Sequence, residues 1–214
     1  MIGRRRGLAA KRVVDVMGAA VGLFLLGPVL VATALAILAT EGRPVFFRQQ
    51  RPGLDGKLFT IVKFRTMRPP RAGEVWYASD PQRVTRLGRF LRATSLDELP
   101  ELWNVLRGDM SLVGPRPLLV EFLGRYTPTE ARRHEMRPGI TGWAVVHGRR
   151  AARFEDRFAY DVWYVDHWSL GLDARIIART IAQVLRRADA QAAQGMDDID
   201  LPDRLEAGLH ETRG

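Results

Sequence analysis

The sequence predicts a mostly helical α+β domain held against a membrane. Three observations carry that reading: an apolar run of membrane length near the N-terminus, one alternating β-rich segment bracketed by turn residues, and helical periodicity through most of the remaining chain. The chain has 214 residues, 46% of them hydrophobic, enough for one domain with a real core. It contains no cysteine, which excludes disulfides, thiolate nucleophiles and thiolate metal sites. Chemistry must come from carboxylates, histidines or hydroxyls. A formal net charge of +9 implies an anionic partner, and nucleic acid, anionic lipid and phosphorylated small molecules all qualify.

From Val13 to Thr40 the only charge is Asp15, and Arg4, Arg5, Arg6, Lys11 and Arg12 precede the run. A signal peptide's apolar region is about 7–15 residues, so this stretch is too long for one, and it lacks the recurring polar positions of a soluble core helix. Gly27-Pro28 sits mid-run, where proline removes a helical hydrogen bond and favours a kink. Cationic residues flank both sides (Arg43, Arg48, Arg51, Lys57, Lys63 and Arg65 lie beyond it), which suits a segment that enters and leaves on one face. A spanning helix merely bent by its proline fits as well, so both topologies stay open at this level.

The segment Leu58–Phe64 alternates, and Pro52-Gly53 and Asp55-Gly56 are turn signals, predicting a strand or hairpin over about 45–66. Residues 68–82 read as a surface loop. Helices are expected over roughly 83–93, 96–107, 117–126, 128–136, 154–166 and 171–187, interrupted by Gly114-Pro115, Pro138-Gly139 and Gly142. The tail from about 189 to 214 is polar and expected to be loosely held.

The adjacent carboxylates Asp97 and Glu98 admit two readings. Ser95 followed three residues later by Glu98 fits a capping box that simply opens a helix. Against this, Pro100 falls where its missing N–H disturbs the first turns, and Arg86, Arg89, Arg92, Arg107, Arg116 and Arg137 surround the pair in sequence. Arginine forks match phosphate oxygens, and hard carboxylates suit Mg²⁺ shared with substrate phosphates. Carboxylates, arginines and a membrane segment together point to phosphoryl chemistry on a lipid. A nucleic-acid binder would explain the charge but needs no membrane-length run, and a non-catalytic scaffold needs neither carboxylate.

The motifs "KRVVDVMGAAVGLFLLGP", "RQQRPGLDGKLFTIVKFRTM", "SLDELPELWNVLRGDMSLVGPRPLLVEF", "MRPGITGWAVVHGR" and "AYDVWYVDHWSLGLDARI" run in order through nearly the whole chain. In these the chain resembles the bacterial sugar transferases, the monotopic polyprenyl-phosphate phosphoglycosyl transferases. It is most similar to their short form, typified by the bacillosamine-phosphate transferase of N-glycosylation. The resemblance implies transfer of a sugar 1-phosphate from a UDP-sugar to undecaprenyl phosphate with release of UMP, at the cytoplasmic face of the bacterial inner membrane. It implies a re-entrant helix-break-helix over residues 1–42 with the break at Pro28, a cytosolic catalytic domain over 43–188 and a tail over 189–214. It implies Asp97 as the nucleophile that forms an aspartyl-phosphosugar intermediate, Glu98 as its partner, and both as Mg²⁺ ligands. Lys63, Arg92, Arg116 and Arg137 are implied to bind diphosphate or polyprenyl phosphate, and no nucleic acid is expected as a partner.

An ionised nucleophile among so many cations predicts a low pKa for Asp97. Asp15 is expected to cap or pair near the membrane face, and Asp161 to pair with an arginine rather than serve a metal. Many relatives have glutamine where Glu101 stands, glutamine where Val145 stands and asparagine where His147 stands, and Val145 and His147 lie in the "GWAVVHGR" loop, where contacts to the nucleotide or sugar are expected to differ. Trp143, Trp163 and Trp168 are candidates for the lipid interface or the core, and Trp103 is expected in the core.

Overall fold

The computed structural model describes residues 2–69, 83–148 and 154–185. The expected loop beyond residue 69 and the tail from 189 lie outside the described residues. Helix α1 (Ile2–Glu41) is followed by strands β1 (Phe46–Pro52) and β2 (Leu58–Phe64), then α2 (Arg86–Thr94), α3 (Glu101–Arg107), β3 (Ser111–Val113) and α4 (Pro128–Ala131). The chain continues through β4 (Gly139–Thr141), α5 (Trp143–Gly148), α6 (Phe154–His167) and α7 (Leu170–Leu185).

The hairpin forms as its turn residues require. Strands β1 and β2 pair antiparallel from Phe46 opposite Phe64 to Pro52 opposite Leu58. Asp55 and Gly56 take the left-handed conformation at φ 54° and 72°, which Gly adopts without penalty and Asp tolerates, and Gly53 N donates to Lys57 O at 2.8 Å to close the turn. Strands β3 and β4 form a second, parallel pair in stretches that the sequence reading left as breaks between helices. They are three residues each, too short for alternation to register. The chains cross so closely there that a Cβ on Gly114 would lie 2.2 Å from Arg137 O.

Several expected helices shorten or split. Residues 96–107 divide into a 3-10 turn at Leu96–Glu98 and α3, with Pro100 at the helix start. Residues 117–126 hold only a 3-10 turn at Val120–Phe122, and 128–136 become α4 followed by a 3-10 turn. The stretch around Val145 and His147 is helix α5.

The expected break at Pro28 does not divide the segment: α1 stays one helix through it, since the proline removes a single hydrogen bond while the flanking turns keep theirs, and it is docked to the body near both its ends. Lys11 Nζ donates to Asp173 Oδ2 at 2.6 Å, Arg12 donates to the carbonyls of Val105 and Leu106 at 2.6 and 2.9 Å, and Asp15 Oδ1 accepts from Leu112 N at 3.0 Å. Ala19 is buried against Leu102, Val105 and Met110. Towards its C-terminus, Ile37 packs with Phe64 and Leu91, and Arg65 NH2 donates to the carbonyls of Glu41 and Gly42 at 2.6 and 2.9 Å. The opposite face leaves Met17, Phe24, Leu25, Val31 and Leu35 exposed, Phe24 by 83%. Gly27, between the two docked stretches, would meet nothing within 4 Å if it carried a Cβ.

Trp103 departs from its expected place in the core. It is 54% exposed on α3, while its neighbours Leu102 and Val105 face inward against α1. Trp143 and Trp168 pack against the core of α6 and α7, and Trp163 is partly exposed.

Candidate active site

Helix α2 is started by Thr85, whose hydroxyl accepts from Gly88 N at 2.8 Å, and it ends at Ser95 in the left-handed conformation at φ 57°. Ser95 therefore closes α2 instead of opening the next helix, and its side chain caps nothing. The expected capping box with Glu98 is absent because Glu98 is engaged elsewhere. Its Oε1 accepts from Lys63 Nζ at 2.8 Å and from Arg116 NH2 at 2.6 Å. Two charge-assisted bonds to one oxygen outweigh a single neutral cap bond.

Asn104 sets the distance between these groups. From α3 it donates to Thr60 O at 2.7 Å and accepts from Val62 N at 3.1 Å, gripping the β2 backbone next to Lys63. Arg116 comes directly after Gly114-Pro115, and its carbonyl accepts from Arg133 NH2 at 2.6 Å. Arg133 is itself buried in a pair with Asp161, at 2.6 and 3.1 Å, as expected of Asp161, and its guanidinium lies 5.7 and 5.6 Å from the rings of Tyr126 and Phe158. Arg92, in the last turn of α2, donates from Nε to Thr66 Oγ1 at 3.0 Å and bears electrostatically on Asp97.

Asp97, Glu98, Lys63, Arg92 and Arg116 thus come together. Arg137 does not join them by any bond. Its Nε donates to Gly108 O at 2.9 Å, satisfying the end of α3. Pro28 lies within α1. Sequence reasoning missed Asn104, Thr66 and Arg133, whose roles depend on contacts 42–44, 26 and 17–28 residues away in the chain. It also did not foresee the setting of Glu101, a carboxylate 2% exposed, whose Oε1 lies 3.3 Å from Lys63 Nζ yet makes no hydrogen bond.

The electrostatics differ between the two neighbours. Burial alone would raise the pKa of Glu98, but Arg116 and Lys63 overcome it and hold the carboxyl well below the usual range. Asp97 goes the other way. Burial first, then the charge of Glu98, push it up to about 6 against the pull of Lys63, Arg92 and Arg116. The expectation of a low value counted cations without asking whose charge they already neutralised: two of the three are spent on Glu98. Among the described residues nothing donates a hydrogen bond to the Asp97 carboxylate.

An adjacent carboxylate pair with one member lacking donors presents hard oxygens in the number Mg²⁺ uses when phosphates supply the rest. No group of three acidic or histidine residues that could hold a metal by itself occurs among the described residues.

A family profile described as "Bacterial sugar transferase" matches residues 6–187. The chain belongs to the bacterial sugar transferase family. It is 50% identical over 176 residues to the uncharacterized sugar transferase EpsL of Bacillus subtilis, covering 82% of this chain and 87% of that one. It is 44% identical over 192 residues to the UDP-glucose:undecaprenyl-phosphate glucose-1-phosphate transferase of Caulobacter vibrioides, covering 84% of this chain and 71% of that one. The Escherichia coli protein of the same description is 42% identical, but this bacterial sugar transferase spans only 39% of its length.

Proposed function

We propose that this bacterial sugar transferase moves a sugar 1-phosphate from a UDP-sugar to undecaprenyl phosphate, the initiating step in the assembly of a glycan on a lipid. The observation that carries the proposal is the Asp97 carboxylate, without a donor among the described residues, beside a Glu98 pinned by Lys63 and Arg116, in a chain whose relatives' names describe this transfer. An Asp97 oxygen attacks the phosphorus bonded to the sugar oxygen, the bond to the UMP oxygen breaks, and UMP leaves with that electron pair. A phosphate oxygen of the lipid then attacks the same phosphorus and the Asp97 carboxylate is released. Splitting the transfer in this way lets a water-soluble donor and a membrane-bound acceptor use one site in turn.

Lys63 and Arg116 hold Glu98 ionised, so it serves as a fixed negative group and not as a proton carrier. Asp97 and Glu98 would hold Mg²⁺, which when bound neutralises phosphate charge. Arg92 supplies a further cation beside the nucleophile.

Helix α1 is read as re-entrant from the cytoplasmic face, bending at Pro28 without losing its helical turns. Both of its ends are fastened to the same body, and the stretch around Gly27-Pro28, with Phe24 and Leu25, is the least attached and most apolar part. A spanning helix would have to pull one end away from its partners. The relatives' names spread over glucose, galactose and N-acetylgalactosamine, so membership of the family by itself selects no one sugar.

The test is incubation of the full chain in membranes with radiolabelled UDP-sugars, Mg²⁺ and undecaprenyl phosphate. The expected result is labelled lipid and stoichiometric UMP. With donor alone, label is expected on the protein, and Asp97→Asn is expected to abolish both signals. Release of sugar phosphate into water would instead indicate a phosphohydrolase, and no turnover with any UDP-sugar a scaffold.

A further inference from the structure

One arginine near the carboxylate pair takes no part in the transfer as described. Arg157 lies in the first turn of α6, one turn before Asp161 on the same helix face. It is half-buried, and among the described residues it makes no hydrogen bond and no ion pair. The acid one turn away is not available to it. Asp161 gives its Oδ2 to both Nε and NH2 of Arg133, within a pair whose side chains are 3% and 4% exposed.

The same Arg133 reaches the carbonyl of Arg116, so the chain of contacts Asp161, Arg133, Arg116 ends at the residue that holds Glu98 at 2.6 Å. Arg157 therefore sits on the flank of the carboxylate centre. The charged groups bearing on it are Arg116 and Asp161; burial, followed by the repulsion from Arg116, disfavours its own charge. A guanidinium taken partly out of water beside a second cation, with its nearest acid already committed, is a costly arrangement that an anionic ligand would relieve.

We propose that Arg157, acting with Arg116, forms a binding site for a substrate phosphate group beside the Asp97–Glu98 pair. The inference rests on the phosphoryl-transfer reading and deepens it by naming a further contact residue. A guanidinium on α6 and one on the segment after β3, close enough to repel each other, each carry planar donor pairs that match phosphate oxygens. A glutamine in place of Arg157 keeps much of the stem and loses the charge, whereas a lysine keeps the charge and loses the fork. The phosphate is either the donor's diphosphate or the head group of the lipid acceptor, and kinetics separate the two.

The experiment has a binding arm and a kinetic arm. Inorganic pyrophosphate is titrated calorimetrically into detergent-solubilised full-length wild type, Arg157→Gln and Arg157→Lys, with circular dichroism confirming that each variant is folded. Loss of one charge-assisted contact is expected to weaken pyrophosphate binding roughly tenfold in Arg157→Gln, with partial recovery in Arg157→Lys. KM is then measured for the UDP-sugar and for undecaprenyl phosphate separately. A rise confined to the donor assigns the site to the diphosphate, and a rise confined to the lipid assigns it to the acceptor. A wild type that binds pyrophosphate through Arg157 yet turns over no UDP-sugar would sink the transferase reading and leave the anion site standing. Unchanged pyrophosphate affinity in Arg157→Gln, together with unchanged KM for both substrates in an active enzyme, overturns the proposal.

Discussion

Glu101 gives the most quantitative consequence of this structure. It is a carboxyl 2% exposed, one of whose oxygens makes no hydrogen bond, and it shares Lys63 with Glu98. Burial raises its pKa to about 7 from the usual 4.5, Lys63 working against the shift and the charge of Glu98 reinforcing it. In the unfolded chain the carboxyl loses its proton near 4.5, while the folded chain keeps it until about pH 7. Over that window the native state binds more protons, so stability falls as pH rises, and the loss is complete above about 7. The gap between about 7 and 4.5, at ~1.4 kcal/mol per pH unit, corresponds to about 3 kcal/mol. Glutamine has the same shape and no charge, and Lys63 keeps its shorter bond to Glu98 at 2.8 Å. Glu101→Gln is therefore expected to match wild type near pH 4.5 and to exceed it by about 3 kcal/mol at pH 8. Urea unfolding followed by tryptophan fluorescence, in detergent with chelator present, measures both. A stability gap that does not change between those pH values would refute the argument, as would a Glu101→Gln variant weaker than wild type at pH 8.

Three further outcomes are expected from the same geometry. On the proposed mechanism Asp97 attacks as the anion, and its pKa, raised to about 6 without metal, is lowered by bound Mg²⁺, so the acid limb of UMP release without acceptor is expected below about pH 6 and to move up towards 6 as Mg²⁺ is made limiting; a limb above pH 6, or one indifferent to Mg²⁺, would contradict the environment described for Asp97. Glu98→Gln removes the charge that, after burial, raises Asp97, so its acid limb is expected at lower pH, with kcat reduced roughly a hundredfold by loss of the group that orders Lys63 and Arg116. Arg12→Ala deprives Leu106 O of its side-chain donor and leaves Val105 O with only the Gly108 N–H, and is expected to cost about 1–3 kcal/mol and lower kcat, while flotation with liposomes is unchanged because the exposed face of α1 is intact.

What could be read from the sequence was what local rules decide. The apolar run and the hairpin arise from composition and from Asp55-Gly56, and both form where expected, although the helix continues through Pro28 instead of breaking there. The arginine partner of Asp161 was also legible, since a buried acid in a basic chain needs one. What escaped was decided by tertiary contacts. Ser95 and Glu98 have capping-box spacing, yet Lys63, 35 residues earlier, and Arg116, 18 residues later, claim Glu98 instead. The same competition reversed the expectation for Asp97, because cations counted along the sequence carry no record of which carboxylate they serve. Strands β3 and β4 were invisible because three residues each, between Gly and Pro, have no periodicity to detect.

The membrane helix is best understood as part of the active site's frame. Arg12 of α1 satisfies the last carbonyls of α3, where a cation also complements the helix dipole. Gly18 and Gly22 let α1 approach so closely that a Cβ at Gly18 would lie 2.6 Å from Leu112 and one at Gly22 3.2 Å from Leu102. Helix α3 in turn grips β2 through Asn104, and β2 presents Lys63 to Glu98. The position of the carboxylate pair is thus fixed by a relay that begins in the lipid-facing segment. For a lipid-linked acceptor, a carboxylate pair framed by the same helix that bears the exposed apolar face is held at a constant depth relative to that face. For this reason the apolar run and the carboxylate pair, far apart in the sequence, belong to one structural unit.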